Sequence, residues 1–114
     1  CFTCHGKIEG DTVAEHRHKI LEANMNCMLC HKPHSSAQEN LLSKDQVALC
    51  GQCHKHSFSH PIAKNADGTA IKDPSRGGVL VCGSCHDVHG SKFESMTKAD
   101  KSRDLCVRCH SQEH

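Results

Sequence analysis

Residues 82–89 read CGSCHDVH. Two cysteines separated by two residues and followed at once by a histidine form the pattern C-x-x-C-H, and a second histidine follows three residues later. The five-residue pattern recurs along the chain, at residues 1–5, 27–31, 50–54, 82–86 and 106–110. All 10 cysteines belong to these motifs. Because every cysteine lies in the same motif, we expect all of them to have the same chemical role.

The pattern C-x-x-C-H is the attachment signature of haem c. The two thiols bond to two carbons on one edge of the porphyrin, and the next residue must be an imidazole that reaches back to the iron. We therefore predict five haem c groups. The predicted thioether cysteines are Cys1, Cys4, Cys27, Cys30, Cys50, Cys53, Cys82, Cys85, Cys106 and Cys109. The predicted proximal iron ligands are His5, His31, His54, His86 and His110.

Other uses of cysteine fit the pattern less well. Disulfide pairing accounts for an even cysteine count but not for a histidine after every second cysteine. Structural zinc sites close with four ligands, usually from paired knuckles, whereas each motif here offers three. A thioredoxin-like redox role requires a βαβ pattern around one motif, and the sequence shows none.

Seven histidines remain outside the motifs: His16, His18, His34, His56, His60, His89 and His114. We expect His34, His60 and His89 to be distal iron ligands, together with at least one of His16 and His18. Two histidines per iron favour a low potential, because a methionine ligand would raise it. Which irons His16, His18, His56 and His114 ligate stays open. Met25, Met28 and Met96 are expected to pack against porphyrin faces.

The spacings contain a repeat. Residues 27–54 and residues 82–110 match within one inserted residue, and in both a histidine lies three residues beyond the first proximal histidine. Each segment is therefore a two-haem unit, and residues 1–5 correspond to half of one. This predicts one pentahaem domain over residues 1–114. Because the chain begins in mid-repeat, we expect it to be a section of a longer product.

The composition predicts a haem core. Among 114 residues there is no Trp or Tyr, and 36% are hydrophobic, which is too little to fill an ordinary interior. We expect a mostly irregular chain with a few short α-helices and little or no β-sheet. The candidate helices span residues 11–23, 43–54 and 98–110, and Asp45 and Asp100 are placed to favour the first turns of the last two.

The charge balance and hydropathy limit the kinds of partner and compartment that fit this chain. There are 14 basic and 13 acidic residues, which does not favour nucleic acid or anionic lipid as a partner. No apolar run approaches membrane-spanning length. Because haem c is attached on the outer side of an energy-transducing membrane, we expect an exported protein, periplasmic or extracellular.

The segments around residues 27–36, 49–54, 59–61 and 82–91 resemble the doubled C-x-x-C-H family of multihaem cytochromes. The resemblance implies electron transfer through closely stacked haems with two histidine ligands. It also implies redox proteins or extracellular electron acceptors as partners and permits self-assembly into a conducting filament. An alternative is a subunit of a multihaem oxidoreductase, for nitrite or hydroxylamine chemistry. That would require an iron with an open position, and the histidine surplus favours the electron carrier.

Overall fold

The computed structural model describes residues 1–24, 27–55, 60–101 and 103–110. The chain measures 44 × 30 × 25 Å along its principal axes and has a radius of gyration of 15.0 Å, whereas a compact domain of this length has about 13 Å. Its accessible surface is 8519 Å². A compact protein of this mass exposes roughly 6,200 Å². The polypeptide is therefore open and elongated.

Regular structure within the described residues is short. The α-helices and strands are α1 (Gly6–Thr12), β1 (His16–Arg17), α2 (Lys19–Asn24), α3 (Gln46–Gly51), α4 (Cys82–Cys85) and β2 (Gly90–Ser91). Single 3-10 turns span Cys27–Leu29, Glu39–Leu41, Glu94–Met96 and Cys106–Arg108. The remaining described residues form turns and irregular segments. This confirms the predicted fold class of a mostly irregular chain with few helices and very little sheet.

Two of the three predicted helices are wrong in extent. The helix expected at residues 11–23 is divided into α1 and α2, with β1 between them. α1 ends at Thr12, whose hydroxyl donates to the Glu9 carbonyl at 2.7 Å. The helix expected at residues 98–110 is reduced to the 3-10 turn at Cys106–Arg108. The inserted residue of the repeat falls just before that turn, where Leu105 N–H donates to the Asp100 carbonyl at 2.9 Å instead of closing an α-helical turn.

The third predicted helix, at residues 43–54, is present as α3. Asp45 caps it, because its Oδ1 accepts a hydrogen bond from Ala48 N–H at 3.1 Å and so satisfies one of the unpaired donors at the start of the helix. The sequence did not predict α4, which lies inside the fourth motif. There the Ser84 hydroxyl accepts from Val81 N–H at 3.0 Å.

Very little of the described chain is buried. Leu80 is its one buried hydrophobic residue, and the other buried side chains are polar: Thr12, Asp73, Ser84 and Thr97. Leu80 is held by backbone hydrogen bonds to Ala63 and Ile71 within the 61–81 loop. One apolar side chain cannot offset the entropy of ordering a chain of this length.

We name residues 27–54 unit A and residues 82–110 unit B. Their backbones repeat one hydrogen-bond pattern. Lys32 N–H donates to the Leu41 carbonyl at 2.7 Å, and in unit B Asp87 N–H donates to the Met96 carbonyl at 2.7 Å. The left-handed conformations recur as well, at Asn40 and Leu41 in unit A and at Ser95 and Met96 in unit B. The sequence repeat is therefore a structural repeat.

Unit B contacts both unit A and the segment that precedes it. β1, which precedes unit A, pairs antiparallel with β2 of unit B, with His16 opposite Ser91 and Arg17 opposite Gly90. α3 of unit A contacts α4 of unit B, where Gly83 N–H donates to the Gln46 Oε1 at 2.8 Å. The second motif of unit A and the first motif of unit B consequently lie next to each other.

Candidate haem-binding site

All five motifs adopt the same turn. In each, the backbone N–H of the motif histidine donates to the carbonyl of the first cysteine, at 2.8 to 3.0 Å; the donors are His5, His31, His54, His86 and His110. This single turn places residues i, i+3 and i+4 on one side of the backbone. The two thiols and the imidazole of each motif therefore share one face, as attachment to one porphyrin requires.

The first proximal histidine of each unit is oriented by a backbone carbonyl. His31 Nδ1 donates to the Asn40 carbonyl at 2.9 Å, and His86 Nδ1 donates to the Ser95 carbonyl at 2.8 Å. The acceptor residues are left-handed, with φ of 57° at Asn40 and 60° at Ser95. A hydrogen bond at Nδ1 fixes the tautomer and leaves Nε2 as the metal-binding nitrogen.

Three motif histidines each face a histidine from outside the motifs. The ring centres are 5.8 Å apart for His54 and His18. They are 6.2 Å apart for His31 and His89. They are also 6.2 Å apart for His110 and His60. Each pair thus combines one predicted proximal ligand with one predicted distal ligand.

These spacings fit two imidazoles that share one metal ion. A bond from a metal to an imidazole nitrogen is about 2 Å long, and the ring centre lies about 1 Å beyond the nitrogen, so ring centres on opposite sides of one ion are about 6 Å apart. The ring planes cross at 90°, 18° and 72° in the three pairs. When two imidazoles bind opposite sides of one metal ion, both ring planes contain the axis through the metal, and each ring can rotate about that axis. The three different angles between the ring planes are therefore all compatible with shared ligation.

Burial favours the neutral form of two of the distal candidates by lowering the pKa of each imidazole. It lowers the pKa of His18, and the neighbouring His54 lowers it further. It also lowers the pKa of His89, with His31 acting in the same direction. Neutral imidazole is the form that binds a metal. The electrostatics of both pairs therefore favour ligation.

The cysteines of successive motifs are neighbours. Burial raises the pKa of the Cys50 thiol to about 11, and adjacent Cys82 adds to that shift. Burial also raises the pKa of Cys30, with Cys53 contributing, and that of Cys85, with Cys109 contributing. In motifs two to four, one cysteine therefore lies near a cysteine of the next motif.

The other predicted ligands are placed differently. His16 lies in β1, with its Nε2 3.8 Å from Glu15 Oε1, and His34 is exposed. Within the described part of the chain, neither ring stacks on or lies edge-on to another ring. His56 and His114, whose roles the sequence leaves open, lie outside the described residues, as does Met25. Met28 is 67% exposed, and its predicted packing against a porphyrin stays a prediction.

Sequence reasoning missed three supporting residues. Asn40 and Ser95 act through backbone carbonyls, which residue identity does not reveal, although their equivalent positions in the repeat offered a signal. Gly90 has a φ of 151°, and a Cβ there would lie 2.1 Å from the Asp11 carbonyl oxygen. A glycine is therefore required where β2 meets the end of α1.

Comparison with known proteins finds relatives that share the motif. The family described as "Doubled CXXCH motif" matches residues 18–57 and 73–114. The chain is 29% identical over 112 residues to a protein named Multiheme cytochrome MtrA, from Shewanella baltica (strain OS185). That alignment covers 98% of this chain and 31% of the relative, so the chain spans about a third of the relative's length.

Proposed function

Because this chain belongs to the doubled CXXCH family and is a multihaem c-type cytochrome, we propose that it conducts electrons along five covalently bound haems, ligated mainly by two histidines each. In this proposal the ten cysteines form thioether bonds, and the five motif histidines are the proximal ligands. The distal ligands include His18, His60 and His89, with His16 and His34 as further candidates.

One observation carries the proposal: three motif histidines each face a spare histidine at 5.8 to 6.2 Å between ring centres. A bound haem supplies a one-electron couple. Residues that occupy both axial positions leave no site for a substrate to bind the iron. The paired histidines therefore favour an electron carrier of low potential over an enzyme.

The arrangement of the motifs supports a continuous path. Cys30 lies near Cys53, Cys50 near Cys82, and Cys85 near Cys109. The α3–α4 contact brings the second motif of unit A against the first motif of unit B. The proposed path therefore runs from motif two to motif five and crosses from unit A to unit B at the α3–α4 contact.

The proposed setting is outside the cytoplasmic membrane, either in the periplasm or at the cell surface. Haem c is attached on the outer side of an energy-transducing membrane, which requires export of the chain. The proposed partners are redox proteins or extracellular electron acceptors, and assembly into a filament is compatible with the elongated shape. In the described part of the chain, no helix has the length and apolarity to cross a membrane.

Two measurements test the proposal on the holoprotein. Intact mass and alkylation should show five haems and no free thiol per chain. Redox titration followed by absorbance should show only low-potential transitions, because histidine ligands do not raise the potential as methionine does. A lower haem count would contradict the stoichiometry. Turnover of nitrite or hydroxylamine at an open iron would favour the oxidoreductase alternative.

A further inference from the structure

Asp73 is the one charged side chain buried in the part of the chain that the structure describes, with 1% of its surface exposed. Its Oδ1 accepts hydrogen bonds from the Ser75 N–H at 2.9 Å and from the Ser75 hydroxyl at 2.6 Å. Hydrogen bonds from Ser75 and Ser84 lower the pKa of this carboxyl to about 2, so it is ionised at neutral pH. The proposed haem ligation makes no use of this buried charge.

Backbone hydrogen bonds of the 61–81 loop place Asp73 next to the fourth motif. The Asp73 N–H donates to the Gly78 carbonyl at 2.7 Å, and the Gly77 N–H donates to the Asp73 carbonyl at 2.8 Å. Gly78 lies four residues before Cys82, the first residue of the motif. The position of Asp73 is therefore coupled to the position of the motif through a short, hydrogen-bonded segment.

The carboxylate of Asp73 reaches the motif itself. Ser84 lies between the two motif cysteines and is buried. Its hydroxyl accepts from the Val81 N–H at 3.0 Å and uses its own proton for the hydrogen bond to Asp73. Burial raises the pKa of the Cys85 thiol, and Cys109 and Asp73 raise it further. The negative charge of Asp73 therefore acts at a sulfur that we propose binds haem.

Neighbouring cations offset this charge only in part. None of the ion pairs among the described residues includes Asp73. Lys98 and Arg108 act on Cys85 in the opposite direction, and each has a smaller effect than Asp73. Arg108 is exposed, and water and salt screen an exposed charge much more than a buried one. Neither cation therefore cancels the field of Asp73 at the motif.

The first motif of unit A lacks this arrangement. Leu29, which is 52% exposed, takes the place that Ser84 has in unit B. Residues 27–31 therefore have no hydroxyl at this position, and among the described residues no buried carboxylate lies beside them. The two motifs share the hydrogen bond from the proximal histidine to a backbone carbonyl. The haem proposed at residues 27–31 is therefore an internal reference for the effect of Asp73.

We infer that Asp73 lowers the reduction potential of the haem proposed at residues 82–86 by holding a buried negative charge beside it. A negative charge stabilises the oxidised iron, which carries one positive charge more than the reduced iron. Asp73 is not a proposed ligand and acts through its electrostatic field. The inference rests on the proposed function and deepens it, because the electron path meets a step whose height Asp73 sets where it enters unit B.

The test is a redox titration of the holoprotein at neutral pH, followed by NMR, with each haem assigned through contacts to the protons of its two cysteines. D73N removes the charge and keeps the size of the side chain. At a fixed applied potential, the ratio of oxidised to reduced haem at residues 82–86 should fall about tenfold, which is about 59 mV for a one-electron couple. The ratio at residues 27–31 should stay the same.

Three further variants separate the effect of charge from that of structure. D67N makes the same change at an exposed carboxylate of the same loop, where water screens the charge, and should leave every ratio unchanged. D73E keeps the charge, and its ratio at residues 82–86 should stay closer to the wild type than that of D73N. D73S is a second neutral variant with a different hydrogen-bonding group and should shift the ratio in the same direction as D73N.

A purely structural role of Asp73 predicts a change of the opposite sign. If its loss only loosened the loop, water would reach the haem and stabilise the oxidised iron, so the ratio would rise. A ratio that rises or stays the same in both neutral variants, an equal fall in D73E, or loss of this haem from both neutral variants would overturn the inference. Five low-potential haems in the wild type would still support the proposed function, so the two failures are distinguishable.

Discussion

Units A and B share one local structure but meet different surroundings. In both, the proximal histidine donates a hydrogen bond to the carbonyl of a residue in the left-handed conformation, Asn40 in unit A and Ser95 in unit B. In unit B the following histidine, His89, packs against unit A, whereas in unit A the equivalent His34 faces outward. On the proposed ligation, the motif determines the site of attachment, and the neighbouring unit determines how the iron site is completed.

Removing the haems should abolish the structure that both units share. With all ten cysteines changed to serine, ordering the backbone still costs about 1 to 2 kcal/mol per residue, and Leu80 is the one buried apolar side chain among the described residues. We expect a disordered chain by far-UV circular dichroism and amide exchange, with the holoprotein as control. Cooperative unfolding with native-like protection would show that the polypeptide carries its own core.

Removing one distal histidine should distinguish ligation by the segment that precedes unit A from ligation between units A and B. H18A and H89A should each open one haem and shift its potential by tens to a few hundred mV, since axial ligands span about 0.8 V. H89A alone should also speed amide exchange at Gly90 and Ser91 by about tenfold or more, because the bond between the units is lost. Equal exchange in both variants would contradict ligation across the units.

Replacing Gly90 should weaken the contact that holds His89 in place. A Cβ at Gly90 would lie 2.1 Å from the Asp11 carbonyl oxygen, so G90A should destabilise the holoprotein by about 2 to 4 kcal/mol in urea. Gly10 lies in α1 with open space around it, and G10A should be neutral or stabilising by up to about 1 kcal/mol. Similar losses in both variants would mean that the contact contributes little.

Acid should weaken the 61–81 loop that joins the units. Asp73 is buried, and hydrogen bonds from Ser75 and Ser84 lower its pKa to about 2. Because the folded pKa is depressed, its stabilisation is present above about pH 4 and is lost as pH falls through about 2. Between pH 5 and pH 2 the wild type should lose about 2 kcal/mol more than D73N. If the urea midpoints of the wild type and D73N fall by the same amount between pH 5 and pH 2, the predicted role of Asp73 is wrong.

The attachment motifs and the repeat could be predicted from sequence because covalent chemistry dictates their spacing. The pairing of His18 with His54, and of His31 with His89, could not be predicted, because it depends on how β1 meets β2 and α3 meets α4. The helix predicted at residues 98–110 was wrong since one inserted residue alters a turn without altering the apolar pattern. The roles of Asn40 and Ser95 could not be predicted, because both residues act through backbone carbonyls and not through their side chains.

The separation between His31 and His89 affects the order of maturation. A chain emerges from its N-terminus, so the cysteines at 27 and 30 become available well before residue 89 does. Closing such a long loop is slower than closing a short one. On the proposed ligation, we therefore expect the haem at His31 to gain its second axial ligand late in biogenesis, when unit B has formed. The topology of the chain thereby places the completion of this iron site near the end of maturation.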